Sequence, residues 1–168
     1  MHLDELNRCD RATFVAALGG VFEHSPWVAE RACDARPFSD ADALHRAMVE
    51  VVGAAPEEAR LALIRAHPEL AGKAAVRGEL TADSTKEQSG AGLDQCSPDE
   101  FARLNVLNTA YNAKFGFPFI LAVKGHDRAS ILREFARRLG HDRAAEFAEA
   151  LAQIARIARF RLEVLLAR

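Results

Sequence analysis

Cysteine is scarce in this chain and poorly placed for cross-linking. Cys9, Cys33 and Cys96 are odd in number, far apart and form no CxxC pair. That argues against a disulfide framework or a thiolate zinc site and suits a reducing compartment. An excess of one charge is also missing. With 22 basic against 24 acidic residues the net charge is -2, so no basic field exists to hold nucleic acid or an anionic membrane. No window approaches the roughly 18 consecutive apolar residues of a membrane span. The opening MHLDELNRCD carries acids where a secretory leader needs a basic and then an apolar run, and Leu166, Ala167 and Arg168 do not spell a Ser-Lys-Leu address. The expectation is a cytoplasmic protein with neither a nucleic-acid nor a membrane partner.

Familiar catalytic signatures are absent as well. The chain contains no GxSxG, GxxxxGK[ST], GxGxxG or HExxH. Its six histidines, at positions 2, 24, 45, 67, 126 and 141, never fall at metal-ligand spacing from one another, so no metal is expected.

What is present reads as helix. Apolar residues at 49% and charged residues at 27% of 168 positions are those of one folded domain, expected over 1–168. Asp10 caps a segment with Phe14, Leu18 and Val21 at helical spacing. In HSPWVAERA, Ser25 is placed as N-cap and Pro26 as first helical residue. Ser39 precedes a helix with Leu44, Met48 and Val51 inward. Pro56 opens another with Leu61 and Ile64 inward, ending near Ala66 because Pro68 disfavours helical geometry at His67.

SPDEFARLNVLNTAYNAKFG is the clearest helix. Ser97 caps, Glu100 completes a capping box, and Phe101, Leu104, Leu107, Tyr111 and Phe115 share a face. Residues 127–139 and a long last helix capped by Asp142 follow. No alternating strand pattern and no repeat occurs. The predicted fold is all-α, a single compact domain of about seven to nine helices with two functional loops, residues 68–97 and 116–127.

Three positions break local rules. His67 in IRAHPEL stands where a helix must stop, so its imidazole projects from a rigid element end, with a reference pKa of about 6.5 that permits proton transfer either way; a helix-end histidine answering free carbonyls is the bland alternative. Glu87, three residues after Ser84 in DSTKEQSG, matches a capping box. A helix there would run into Gly90, Ala91 and Gly92, and its short N-terminus with a hydroxyl, a carboxylate and Gln88 suits electron-rich ligand atoms. Arg161 lies on the stripe of the last helix, which runs Phe147, Leu151, Ile154, Ala158 and Leu165. A guanidinium there either snorkels out or meets a carboxylate, carbonyls or a ligand.

The segments AHPELAGKAA, LTADSTKEQSGAGL and LNTAYNAKFGFPFILAVKG, with FEHSPWVAERA nearer the N-terminus, resemble the hallmark segments of the OHCU decarboxylase family. That family acts on 2-oxo-4-hydroxy-4-carboxy-5-ureidoimidazoline (OHCU) in urate breakdown. The resemblance spans essentially the full chain and is densest over residues 61–125. It implies a small all-α homodimer that uses no cofactor and no metal, decarboxylating this ureidoimidazoline substrate to (S)-allantoin. It also implies a catalytic set of His67 as acid/base with Glu87 and Arg161. Pro68, Ser84, Thr85, Lys86, Glu87 and Gln88, with the backbone of Phe119, Ile120, Leu121, Ala122 and Val123, would line the substrate. The competing readings are a non-catalytic helical module docking through the glycine-rich loop, and a different acid/base lyase or amidohydrolase on the same scaffold.

Overall fold

The computed structural model describes residues 1–167, and among these every regular element is helical. The α-helices are α1 (Leu3–Arg8), α2 (Arg11–Leu18), α3 (Trp27–Ala32), α4 (Ala41–Ala54), α5 (Glu57–Ala66), α6 (Lys73–Val76), α7 (Ala82–Gly90), α8 (Pro98–Phe115), α9 (Arg128–Leu139) and α10 (Arg143–Leu166). Short 3-10 turns occur at Cys33–Ala35 and Leu93–Gln95. Among the described residues no helix is long and apolar enough to cross a membrane. The all-α expectation holds, α3 falls where HSPWVAERA placed a helix, and α1 and α6 are short helices that periodicity is too weak to show.

Caps explain most boundaries. Asp10 accepts from Thr13 N, Asp127 from Ser130 N and Asp142 from Ala145 N. Ser97 and Glu100 complete the expected capping box on α8. At α4 the cap is Asp40, which accepts from Ala43 N, while the Ser39 hydroxyl donates to Asp40 instead. Ser25 does not cap α3 either: its hydroxyl donates to Glu23 O, and Pro26 occupies the N-cap position.

Helix phase slips by a residue or two in four places. One is α10, where Glu146, Ala150, Ile157 and Leu162 are buried and the expected Phe147, Leu151 and Leu165 are only half-buried. Val52 rather than Val51 is buried in α4, and Leu63 joins Ile64 in place of Leu61 in α5. In α8 the buried set is Leu104, Asn108, Tyr111 and Phe115, while Phe101 remains 37% exposed. A polar residue thus takes an inward position that the apolar pattern assigned to Leu107.

Two compact units can be described. One comprises residues 1–66 and α10 from Ile154; α3 packs on α2 and α4 around Phe14, Leu18, Val28, Leu44 and Met48. The other comprises His67–Gln153, with α8 packed on α9. Its core is a ring cluster: Tyr111 meets Phe115, Phe117, Phe119 and Phe135 at 4.4–6.0 Å, and Phe119 stacks on Phe135 at 3.9 Å.

Candidate functional site

α5 ends at Ala66, as Pro68 requires, and the next residue is His67, a histidine only 6% exposed. The turn after it is buried and strained. Leu70 and Ala71 are 6% and 4% exposed, and Ala71 holds φ 49°, a left-handed conformation that costs an alanine about 1 kcal/mol or more. Backbone polar groups buried outside a helix need side-chain partners. Here two amides supply them, and a third holds the Glu69 side chain. Gln88 accepts from Ala71 N at 3.0 Å and donates to Glu69 O at 3.2 Å. Asn108 Nδ2 donates to Leu70 O at 3.0 Å. Asn112 Nδ2 donates to the Glu69 carboxylate at 2.6 Å and to Asn108 O at 2.9 Å. The Leu70 carbonyl fixes which way the Asn108 amide faces. Asn108 Oδ1 is then left buried without a partner, a cost of about 1–3 kcal/mol.

α7 starts earlier than the serine motif suggests. Thr81 is its N-cap, accepting from Ser84 N at 3.2 Å, and its carbonyl accepts from the Thr85 hydroxyl at 2.9 Å. Ser84 is therefore inside the helix and buried, and the Ser84–Glu87 capping box does not form. The helix start therefore lies before Ser84. Despite its glycine the helix continues through Gly90, because Ser84 and Gln88 form a buried i,i+4 face; it stops before Gly92, at φ 80°. Glu87 is half-buried, while Thr85 and Lys86 are exposed. A cavity of about 380 Å³ is lined by Thr85 and Gln88 together with Ala71, Leu80, Leu93 and Phe101; neither His67 nor residues 119–123 line it.

α8 ends at Gly116, at φ 77°, and the chain runs irregularly to Asp127 as expected. Phe119, Ile120, Leu121, Ala122 and Val123 are all at most 5% exposed. Their backbone is tied from behind. Ala122 N donates to Gln153 Oε1 at 3.0 Å, and Arg138 Nη1 donates to Ile120 O. The Arg138 guanidinium lies 4.4 Å from the Phe119 ring centroid and donates to Glu146 Oε2 at 2.7 Å, both residues being fully buried. The Glu146 carboxylate also accepts from the Tyr111 hydroxyl and is 3.0 Å from His141 Nδ1. Burial alone would raise the Glu146 carboxyl, but hydrogen bonds from Arg138 and Tyr111 outweigh it and hold the group below the ordinary carboxylate range. Burial and the bond to Glu146 push the Tyr111 phenol far above its ordinary value.

Arg161 belongs to the other unit. It does not snorkel: it is 5% exposed, donates to Glu23 Oε2 at 2.7 Å, and has Gly20 O and Val21 O at 3.3 and 3.5 Å. Glu23 is 2% exposed, and His24 beside it has φ 47°. Within His67–Gln153, Gln88 joins α7 to the turn after His67, while residues 119–123 are anchored separately by Arg138 and Gln153. Sequence reasoning missed Asn108, Asn112, Arg138, Glu146, Gln153 and Glu23. Arg138 was findable by the reasoning that selected Arg161: it is three residues beyond buried Phe135, which puts a charge on an inward stripe. Glu146, four before buried Ala150, lies one residue off the stripe read from the sequence and becomes inward only in the observed phase of α10.

A family model described as OHCU decarboxylase matches residues 7–163. The 2-oxo-4-hydroxy-4-carboxy-5-ureidoimidazoline decarboxylase of Haloferax volcanii is 43% identical over 95% of this chain and 93% of its own length. The uric acid degradation bifunctional protein of Bacillus subtilis is 45% identical over 95% of this chain, which spans 32% of that protein. Among solved structures, a crystal structure of (S)-allantoin synthase matches with a TM-score of 0.78 at 28% identity, covering 99% of this chain and 54% of that one.

Proposed function

This chain belongs to the OHCU decarboxylase family, and from that premise we propose that it decarboxylates OHCU to (S)-allantoin in urate degradation, with His67 as the proton-transfer group. The match across residues 7–163 carries the reaction. The burial of His67 at a helix end supports its part in it.

The substrate contains its own electron sink. C4 bears a hydroxyl and a carboxylate beside the C5=N bond that carries the ureido group. As the C4–carboxylate bond breaks and CO2 leaves, its electron pair forms C4=C5 and the C5=N pair moves to nitrogen, which takes up a proton from solvent, so no external cofactor is called on. The enol then loses its hydroxyl proton and gains one at C5, and only delivery to a single face gives (S)-allantoin. A histidine fixed in direction can carry that proton, an effect of about 10²–10⁴-fold. Glu87, one residue before Gln88 on α7, is the proposed acceptor for the C4 hydroxyl. The buried apolar run Phe119–Val123 supplies dry surroundings, which favour a step that disperses carboxylate charge. For Arg161 the family resemblance is the support. A tight bidentate grip on the leaving carboxylate would hold the ground state and slow its departure. The same resemblance supports a homodimer, and the free cysteines suit a reducing, cytoplasmic setting.

Circular dichroism during urate oxidation, with and without the protein, tests the reading. Wild type is expected to develop the (S)-allantoin signal, and His67→Asn to leave slow, racemic product while melting like wild type. Near-normal turnover by His67→Asn would exclude the role given to it.

A further inference from the structure

Building on the His67 reading above, we propose that Asn108 is a positioning residue for this reaction: its amide holds the strained turn that aims His67. Position 108 is inward on α8, between buried Leu104 and Tyr111, in otherwise apolar company. Leucine would fill much the same space and remove the buried Oδ1, but it would leave Leu70 O without this partner, so the two costs roughly offset and stability alone does not call for asparagine there. What asparagine adds is one bond, from Nδ2 to Leu70 O, three residues past His67.

That bond is part of an over-determined arrangement. The turn contains Ala71 at φ 49°, which a free chain would leave. Gln88 from α7 holds Glu69 O and Ala71 N, Asn108 holds Leu70 O, and Asn112, one helical turn further on, holds the Glu69 side chain and Asn108 O. Each consecutive residue from Glu69 to Ala71 is gripped by an amide from outside the turn. Backbone strain secured in this way, directly after a buried histidine, sets the direction of the imidazole. Release of Leu70 O lets the turn relax and His67 drift, and a displacement of about 1 Å from a reacting atom costs up to about 100-fold in rate.

The test uses the full-length protein with Asn108→Leu and Asn108→Asp, reading kcat, KM, melting temperature and amide exchange at Ala71. Aspartate keeps the shape but puts an oxygen against Leu70 O. Both variants are expected to lose about 10–100-fold in kcat with KM within about threefold. Asn108→Leu is expected to melt within about 5 °C of wild type, or higher, and to exchange the Ala71 amide faster. A kcat within about threefold of wild type in either variant, unchanged exchange at Ala71, or a loss of cooperative melting in Asn108→Leu would overturn the proposal. A wild-type protein that does not turn over OHCU would overturn the underlying reading, and this one with it; an active wild type with active variants overturns this one alone.

Discussion

Arg138→Met asks how much the buried charge network behind residues 119–123 contributes to stability. Arg138 and Glu146 are both fully buried and joined by three N–H contacts to the carboxylate, at 3.2, 3.0 and 2.7 Å. Removing one partner of such a pair leaves an uncompensated charge and costs about 3–5 kcal/mol. Tyr111 and His141 still face Glu146 after the change, which places the charge penalty in the lower half of that range. The lost bond to Ile120 O adds about 1 kcal/mol. For a chain of this length each kcal/mol moves the melting temperature by about 2–4 °C, so a total near 4 kcal/mol predicts a fall of about 8–16 °C. Arg138→Met/Glu146→Leu removes both charges and leaves the Tyr111 hydroxyl, the Ile120 carbonyl and the part-exposed His141 Nδ1 to be re-satisfied. Its stability should lie above that of Arg138→Met, with a coupling energy of at least about 2 kcal/mol. Urea titration of the wild type, both singles and the double measures this cycle. An Arg138→Met protein within about 1 kcal/mol of wild type, or additive losses in the double, would refute the reading that these charges are desolvated and interdependent.

The same network predicts how stability varies with pH. The folded Glu146 carboxyl titrates below its ordinary value, so its contribution is present above the ordinary carboxylate range and is lost as pH falls through the lowered folded value. Glu146→Gln should flatten the acid limb of melting temperature against pH, and an unchanged limb would reject the assignment. Tyr111 is shifted the other way, so its contribution is complete below about pH 10 and is lost above it; Tyr111→Phe should remove that alkaline limb. In the other unit, Glu23→Gln leaves the buried Arg161 with a neutral partner and two carbonyls. A loss of about 2–4 kcal/mol is expected by chemical denaturation, and a loss below about 0.5 kcal/mol would show that solvent reaches the guanidinium.

The helices that were legible in the chain are those whose ends carry a chemical stop. Asp10, Ser97, Asp127 and Asp142 satisfy orphan N–H groups locally, and Pro68 ends α5 whatever the rest of the fold does. Burial phase was less legible, because which side of a helix turns inward depends on neighbours distant in sequence. Asn108 shows the difficulty: on apolar pattern alone Leu107 is the better inward residue, and what draws Asn108 in is the Leu70 carbonyl, 38 residues away. Ser84 failed for a related reason, since Thr81 was an equally good cap three residues earlier and the buried face through Ser84 and Gln88 selected it.

Polar residues at inward phase were visible as anomalies, and Arg161 was picked out on that ground alone. Its partner was not, because no periodicity links α10 to Glu23, 138 residues away. An inward charge therefore tells a reader that a partner exists without naming it. That logic, applied uniformly, would have added Arg138 to Arg161, with nothing to separate a scaffold ion pair from a ligand contact. The distinction lies in what else the cation holds. Arg138 also donates from Nη1 to the Ile120 carbonyl, inside the run that the family resemblance assigns to the substrate. A scaffold charge of that kind acts on chemistry only through the backbone it fixes, so its loss should weaken binding and folding together, whereas loss of His67 should leave both in place.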